Sequence, residues 1–571
     1  MEWDCHAEPF GAARIICSTD IAKLDGRCFK HKIHAMALRP SLHRDAFARE
    51  NLPPEDQWPV FEFSLPRLEL PDPFNCGQWL LDEALAEVAP EKPVILDENA
   101  RWSYAELAAQ TNRLCHVLTE ELGIVPGNRV LLRGGNSALM FALWLAVMKT
   151  GAIAVSTMPM LRARELQQIA AKANIALAIC ADGLTGELEE IRQTSPLQRI
   201  VSYGGAAREL ETMMAAKPDQ FRAVPTSQDD VCLIAFTSGT TGEPKATLHF
   251  HRDVLAMCET FARHMVDAGP DAIFTGTPSI AFTFGLGGLL VFPLYFRAAI
   301  ALPKSSTPTA LAEAIEQHRA THVFTSPTAY RAITAWKNEF DLSSLKVCVS
   351  AGEALSKAIS DNWFTATGLR LIDGIGGTEM IHIFISASGD TIRPGATGKP
   401  VPGYRAQLFD PDFHPVAGAG TGRLGVRGPT GCRYLSDPRQ RDYVVGGWNM
   451  TGDVYRRDED GYYWFVARAD DMIVSGGYNI AGPEVEAALA LHPDVEECAV
   501  VGWPDAERGQ IVKAVVVPRP GVVAGPDFVK TLQDHVKRTL APYKYPRAIE
   551  FRDALPRTGT GKLQRSALRP K

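Results

Sequence analysis

An α/β protein is the fold this sequence predicts: a large N-terminal domain of parallel αβ-layered sheets and a small, mobile C-terminal α+β domain. Three observations lead there. Strand-like and helix-like stretches alternate from about Pro93 onward, the pattern of parallel sheets covered on both faces. A chain of 571 residues is too long for one core. Near residue 466 the texture changes, because Arg468-Ala469-Asp470-Asp471 interrupts the apolar pattern and a short αβ unit follows. Roughly a hundred residues then remain, enough for a small domain. The expected division is a loose extension over 1–35, a large domain over 36–468 and a small lid domain over 469–571, with the charged joint as a candidate hinge.

Residues 129–132 read as a strand, 138–148 as a helix and 152–155 as the next strand. The rhythm recurs as strands at 231–235, 299–302, 322–325 and 347–350. In the small domain 483–491 reads as a helix and 498–502 as a strand. The first 35 residues lack periodicity, carry five acidic and five basic side chains, and have no apolar core of the signal-peptide type. They are expected to be an upstream-start artefact or a loose tail, with Met36 opening the better-behaved stretch.

Composition removes several function classes. A net charge of -7 leaves no basic surplus to neutralise a nucleic-acid backbone. The apolar run 138–148 stops at Lys149, about half the length that spans a bilayer, so membrane insertion is not expected. Eleven cysteines without a C-x-x-C pair or zinc-like His spacing argue against a disulfide framework or structural metal, and for reduced thiols in a cytoplasm.

Five motifs carry chemistry. The strand at 231–236 runs into Thr237-Ser238-Gly239-Thr240-Thr241-Gly242-Glu243-Pro244-Lys245, whose glycines, hydroxyls and lysine suit a polyphosphate. This is not a Walker A loop, and alone it reads equally as a surface turn. Ser350-Ala351-Gly352-Glu353 ends a strand. Gly374-Ile375-Gly376-Gly377-Thr378-Glu379 follows a strand predicted at 371–373; its glycines permit close approach, Thr378 can donate to a phosphate oxygen, and Glu379 can hold a divalent cation. Thr451-Gly452-Asp453 offers a carboxylate able to accept from two neighbouring hydroxyls. Pro556-Arg557-Thr558-Gly559-Thr560-Gly561-Lys562 places a lysine in a glycine-rich turn.

In this order the motifs closely resemble the adenylate-forming superfamily of acyl-CoA synthetases, adenylation domains and luciferases, over nearly all of residues 36–571. The resemblance implies ATP, Mg²⁺ and coenzyme A as ligands. It implies that the loop from Thr237 to Gly242 with Lys245 holds phosphates, that Gly352 and Glu353 line the adenine, and that Glu379 holds the metal beside Gly374, Ile375, Gly376 and Thr378. Asp453 would bind the ribose and Arg468 the ribose and phosphate. Lys562 would bridge the attacking carboxylate and the α-phosphate; it is also a candidate for regulatory acetylation. Asp470 matches the family's hinge, and Gly476, Gly477 and Tyr478 would face the site when coenzyme A reacts. Ala246 departs from the family's glycine after the loop lysine, and fits without strain if its φ is negative.

By the same resemblance the acid pocket lies among Phe282, Thr283, Phe284, Gly285, Ile375 and His382, whose rings and aliphatic wall suit an aryl acid. His382 would meet a ring substituent, although a lone histidine is more often a satisfied structural one. An aliphatic residue at 375 looks like the benzoate-CoA ligase branch. Three strings, 47–54, 249–253 and 477–486, look like 2-aminobenzoate-CoA ligases. Phe284, where similar benzoate ligases tend to have tyrosine, removes one hydroxyl. The expected activity is 2-aminobenzoate-CoA ligase; the alternatives are a benzoate or hydroxybenzoate ligase, a stand-alone loader of a carrier protein, and a non-catalytic aryl-acid or nucleotide sensor. The expected partners are the aryl acid, ATP and coenzyme A, with homo-oligomerisation left open.

Overall fold

Apolar runs that bury both faces of a strand build the first two sheets. The computed structural model describes residues 38–98, 101–206, 208–237, 243–336, 338–475, 478–505, 508–557 and 563–570. The expected extension at 1–35 lies outside the described residues, as do Ser238, Gly239, Thr240, Thr241, Gly242, Gly476, Gly477 and Lys562.

A six-stranded sheet runs in the order Arg199–Tyr203, Leu177–Ala181, Arg129–Arg133, Ile153–Thr157, Val231–Thr237, Lys245–Phe250. All its pairs are parallel except the last, a hairpin. A nine-stranded sheet has six parallel strands at its centre: Leu371–Gly376, Val347–Ser350, His322–Thr325, Ile273–Gly276, Ala299–Ala301 and Pro93–Leu96. Antiparallel strands flank them on both sides. Helix Ala138–Lys149 is buried nearly all round. Ser137 caps it by accepting from the Met140 N–H at 3.2 Å. At its other end the buried Lys149 ammonium is compensated by Asp82 and Asn112, each at 2.7 Å.

The third sheet departs from the parallel expectation. Arg405–Phe409, Gly420–Arg427, Trp448–Arg457, Val444–Val445 and Tyr463–Arg468 pair antiparallel throughout. Short connections can join only antiparallel neighbours. Polar residues and glycines interrupt Arg405–Phe409, Gly420–Arg427 and Trp448–Arg457, so no continuous apolar run announces those three.

Residues 472–551 supply the fourth sheet, in the order Tyr478–Ala481, Met472–Ser475, Gly509–Pro518, Val495–Asp505, with Ala548–Phe551 parallel to Gly509–Pro518. Helices Gly482–Ala490 and Pro526–Thr539 pack on it around Ile473, Ile480, Val485, Leu489, Val512, Phe528 and Leu532. Two local expectations change. The stretch before helix Gly482–Ala490 is not a plain connection, because Tyr478–Ala481 pairs with Met472–Ser475. Gly374, Ile375 and Gly376 do not follow a strand but lie in one, opposite Ser386, Ile385 and Ile383. Among the described residues no helix is long and apolar enough to cross a membrane, and the eight described cysteines form no disulfide.

Candidate active site

Parallel strands end on the same edge of their sheet, and that edge collects loops able to bind ligands. Ile273–Gly276, His322–Thr325, Val347–Ser350 and Leu371–Gly376 all exit there. Thr277 and Thr325 join two of the exits through a 2.6 Å hydroxyl contact. Beyond the third exit Gly352 takes a positive φ of 91°, the region glycine tolerates. The next residue, Glu353, accepts from Thr328 Oγ1 at 2.8 Å.

The ends of the phosphate loop meet where Thr237 pairs with Lys245 in the hairpin. Ala246, next along the strand, is buried without a positive φ, the condition under which alanine fits. An antiparallel bridge between Thr247 and Tyr434 brings a distant segment against this strand. Tyr434 Oη donates to Glu379 Oε1 at 2.5 Å, and Lys245 Nζ lies 3.4 Å from the same phenol oxygen. Burial and the Glu379 charge hold the phenol well above its ordinary pKa, so it is a donor. Glu379 sits in the short turn Thr378–Met380. His249 Nε2 donates to the Thr378 carbonyl at 2.8 Å, and its Nδ1 stands 3.5 Å from Asp253.

Asp453 and Arg468 are cross-strand partners, joined at 2.9 Å. Arg468 Nη1 also donates to the Thr451 carbonyl at 3.1 Å. Glycine is favoured at 452 because its φ is 77°, and a Cβ there would stand 2.8 Å from Arg468 Nη2 and displace that guanidinium. Burial raises the Asp453 pKa, against the opposing pull of Arg468. Tyr443 is close enough to feel the charges of Glu379, Asp453 and Arg468, and its phenol stays neutral under burial. Lys245, Thr378, Glu379, Asp453 and Arg468, expected from separate motifs, thus share one region.

Phe284 lies 6.0 Å, centroid to centroid, from His382 and 5.7 Å from Phe324. Phe261 and Phe292 close on the imidazole at 4.9 and 4.7 Å. His382 is buried, and among the described residues neither of its ring nitrogens has a hydrogen bond of ordinary geometry. Burial, opposed only by the Phe284 main chain, pushes its pKa down to about 3, so the ring is neutral. Its Nε2 edge faces Gly287, where a Cβ would come within 2.6 Å. Gly285 has a packing duty, since a Cβ there would stand 2.2 Å from the Ser279 carbonyl oxygen. Thr283 is buried, while Phe282 and Ile375 are half-buried.

Asp470 lies in the turn Ala469–Asp471. Arg569 clasps that turn, donating to the Asp470 carbonyl at 2.9 Å and pairing with Asp471. Tyr478 is exposed and stacks on Tyr543 at 4.5 Å; among the described residues no hydrogen bond or ion pair joins it to the Glu379 group.

Sequence reasoning missed Tyr434, Tyr443 and the buried set His249, Asp253 and Arg433. His249 and Asp253 are the two ends of the string 249–253, quoted only for its resemblance, while Arg433 and the two tyrosines stand in no motif. One pH effect arises here. Asp373 is half-buried, and desolvation of its carboxyl, opposed only by the Gly374 N–H, pushes its pKa from 3.8 up to about 8. Between those values the native state keeps a proton the unfolded chain has released, so stability falls as pH rises through that window. Asp373→Asn is therefore expected to gain melting temperature over the wild type at pH 8 and much less at pH 5; an equal difference at both would contradict this assignment.

The model of the AMP-binding enzyme family matches residues 82–434, and that of the AMP-binding enzyme C-terminal domain matches residues 484–562. The benzoate–CoA ligase of Thauera aromatica is 35% identical over 513 residues, covering 88% of this chain and 97% of its own. A mitochondrial acyl-coenzyme A synthetase of Homo sapiens is 31% identical, with 88% and 91% covered. Among solved structures, the anthranilate CoA ligase AuaEII in complex with anthranoyl-AMP superposes with a TM-score of 0.82 at 34% identity, over 87% of this chain and 97% of that one. A benzoate CoA ligase from Burkholderia xenovorans LB400 gives 0.79 at 29% identity, over 87% and 100%. The chain belongs to the AMP-binding enzyme family and stands among its acid–thiol ligases.

Proposed function

We propose that the chain activates an aryl carboxylic acid with ATP and passes the acyl group to coenzyme A, with 2-aminobenzoate as the preferred acid. The observation that carries the reading is His382, a neutral imidazole inside a box of phenylalanines, with no hydrogen bond of ordinary geometry at either nitrogen among the described residues. Such a box suits a flat ring, and a buried nitrogen without a well-formed hydrogen bond gains from a ligand that supplies one. Likeness to a ligase whose structure holds anthranoyl-AMP supports the same acid.

A carboxylate is a poor acylating agent because oxide would have to leave. In the first step its oxygen bonds to the α-phosphorus of ATP while the bond to pyrophosphate breaks. In the second the coenzyme A sulfur bonds to the acyl carbon, AMP leaves with the bonding electrons, and the thiol proton passes to solvent. Asp453 accepts from the ribose hydroxyls, held by its pair with Arg468. Thr378 and Lys245 donate to phosphate oxygens, and Lys562 stabilises charge between carboxylate and α-phosphate. Glu379 fits Mg²⁺: it offers hard oxygens, and among the described residues only Oε1 is engaged. When bound, the ion would offset phosphate charge as pyrophosphate leaves. Rotation of the small domain about Asp470 exchanges Lys562 for the segment holding Gly476, Gly477 and Tyr478 between the two steps.

His382→Phe tests the acid assignment, since phenylalanine keeps the box and removes the nitrogens. The ratio of kcat/KM for 2-aminobenzoate over benzoate is expected to fall about 3- to 10-fold, the worth of one hydrogen bond. An unchanged ratio would remove His382 from substituent recognition.

A further inference from the structure

We propose that Tyr434 is a positioning residue whose phenol fixes the Glu379 carboxylate and keeps it apart from Lys245. The inference rests on the reading of Glu379 as the metal ligand. Tyr434 is fully buried and held at both ends. Its main-chain N–H donates to Gln440 Oε1 at 2.9 Å, the bridge to Thr247 fixes its backbone, and Tyr443 packs edge-on against its ring at 5.8 Å. The phenol therefore has little freedom to swing away.

A phenol has one proton to give and lone pairs to accept with. Here the proton goes to Glu379 Oε1 at 2.5 Å, while the Lys245 ammonium approaches the same oxygen at 3.4 Å and the ring at 5.1 Å from its centroid. One oxygen thus stands between the lysine that ends the phosphate loop and the carboxylate of the Thr378–Met380 turn. Two consequences follow. The carboxylate is held in one orientation, with Oε2 left for a cation, so less side-chain freedom is lost when one binds. Lys245 is also prevented from closing onto Glu379 as a direct ion pair, which would withdraw both groups from the nucleotide. Gly377, just before the turn, carries no side chain that could substitute for the phenol.

Tyr434→Phe removes only that oxygen. In the full chain the Mg²⁺ concentration for half-maximal pyrophosphate release is expected to rise about tenfold, as for loss of a hydrogen bond to a charged group. Calorimetric titration with ATP in the absence of acid should show weaker binding with Mg²⁺ present and unchanged binding in EDTA. The KM for the acid and the melting temperature should stay close to wild type. Glu379→Gln, measured in parallel, must also raise the Mg²⁺ requirement. If Glu379→Gln does so and Tyr434→Phe does not, the positioning role is overturned while the metal reading stands. If Glu379→Gln leaves the Mg²⁺ requirement unchanged, the metal reading falls and the positioning role with it. Should the phenylalanine variant not fold, Tyr434→His, which keeps a ring donor, is measured instead; weaker ATP binding in EDTA as well as with Mg²⁺ would count against the proposal.

Discussion

Asp253→Ala is expected to lower folding stability by about 3–5 kcal/mol, the cost of removing one partner of a buried ion pair. Asp253 is fully buried and pairs with the equally buried Arg433. It also accepts from the Phe250 N–H at 3.0 Å and lies within 3.9 Å of Arg252. Burial raises its pKa, but Arg433, His249 and Arg252 together outweigh that and hold it below the ordinary value. The Arg433 guanidinium would keep only the Leu248 carbonyl, at 3.3 Å, as a described hydrogen-bond partner besides the aromatic faces of Phe61 and Phe250. Urea unfolding followed by tryptophan fluorescence checks this. A loss under about 1 kcal/mol would mean that the network relaxes or hydrates more readily than its burial implies. His249, which holds Thr378, loses its carboxylate in the same variant, so reduced activity in the surviving folded fraction is expected too.

Lys562→Ala is expected to slow acyl-adenylate formation by at least about 10²-fold, the scale found when one charge-stabilising donor is removed. Thioester formation from preformed acyl-AMP should change only a few-fold, because the proposed mechanism uses the lysine in the first step. Pyrophosphate release and thioester formation, assayed separately, distinguish the two. Equal loss in both would assign Lys562 to general structure, and no loss in either would remove it from the chemistry.

What could be read from the sequence followed from how each segment is buried. The strands Arg129–Arg133, His322–Thr325 and Val347–Ser350 are covered on both faces and appear as short apolar runs. Gly420–Arg427 and Trp448–Arg457 of the third sheet mix buried, half-buried and exposed positions and carry arginines, so no apolar run betrays them. Gly374 and Gly376 look like loop glycines because nothing local reveals the antiparallel partner at Ile383–Ser386. In the site, the residues with motif neighbours were legible: Lys245, Thr378, Glu379, Asp453 and Arg468. Tyr434 was not, since it reaches Glu379 only through a bridge between residues 187 apart in sequence, Thr247 and Tyr434. His382 was legible as a candidate, but the absence of a well-formed hydrogen bond at its nitrogens among the described residues is a property of packing.

The most direct measurement is pyrophosphate and acyl-CoA formation from ATP, Mg²⁺ and coenzyme A across 2-aminobenzoate, benzoate, the hydroxybenzoates and a short fatty acid. Highest kcat/KM with 2-aminobenzoate, accompanied by its coenzyme A thioester, is the predicted result. Pyrophosphate from none of these acids, or a preference for the fatty acid, would contradict the account.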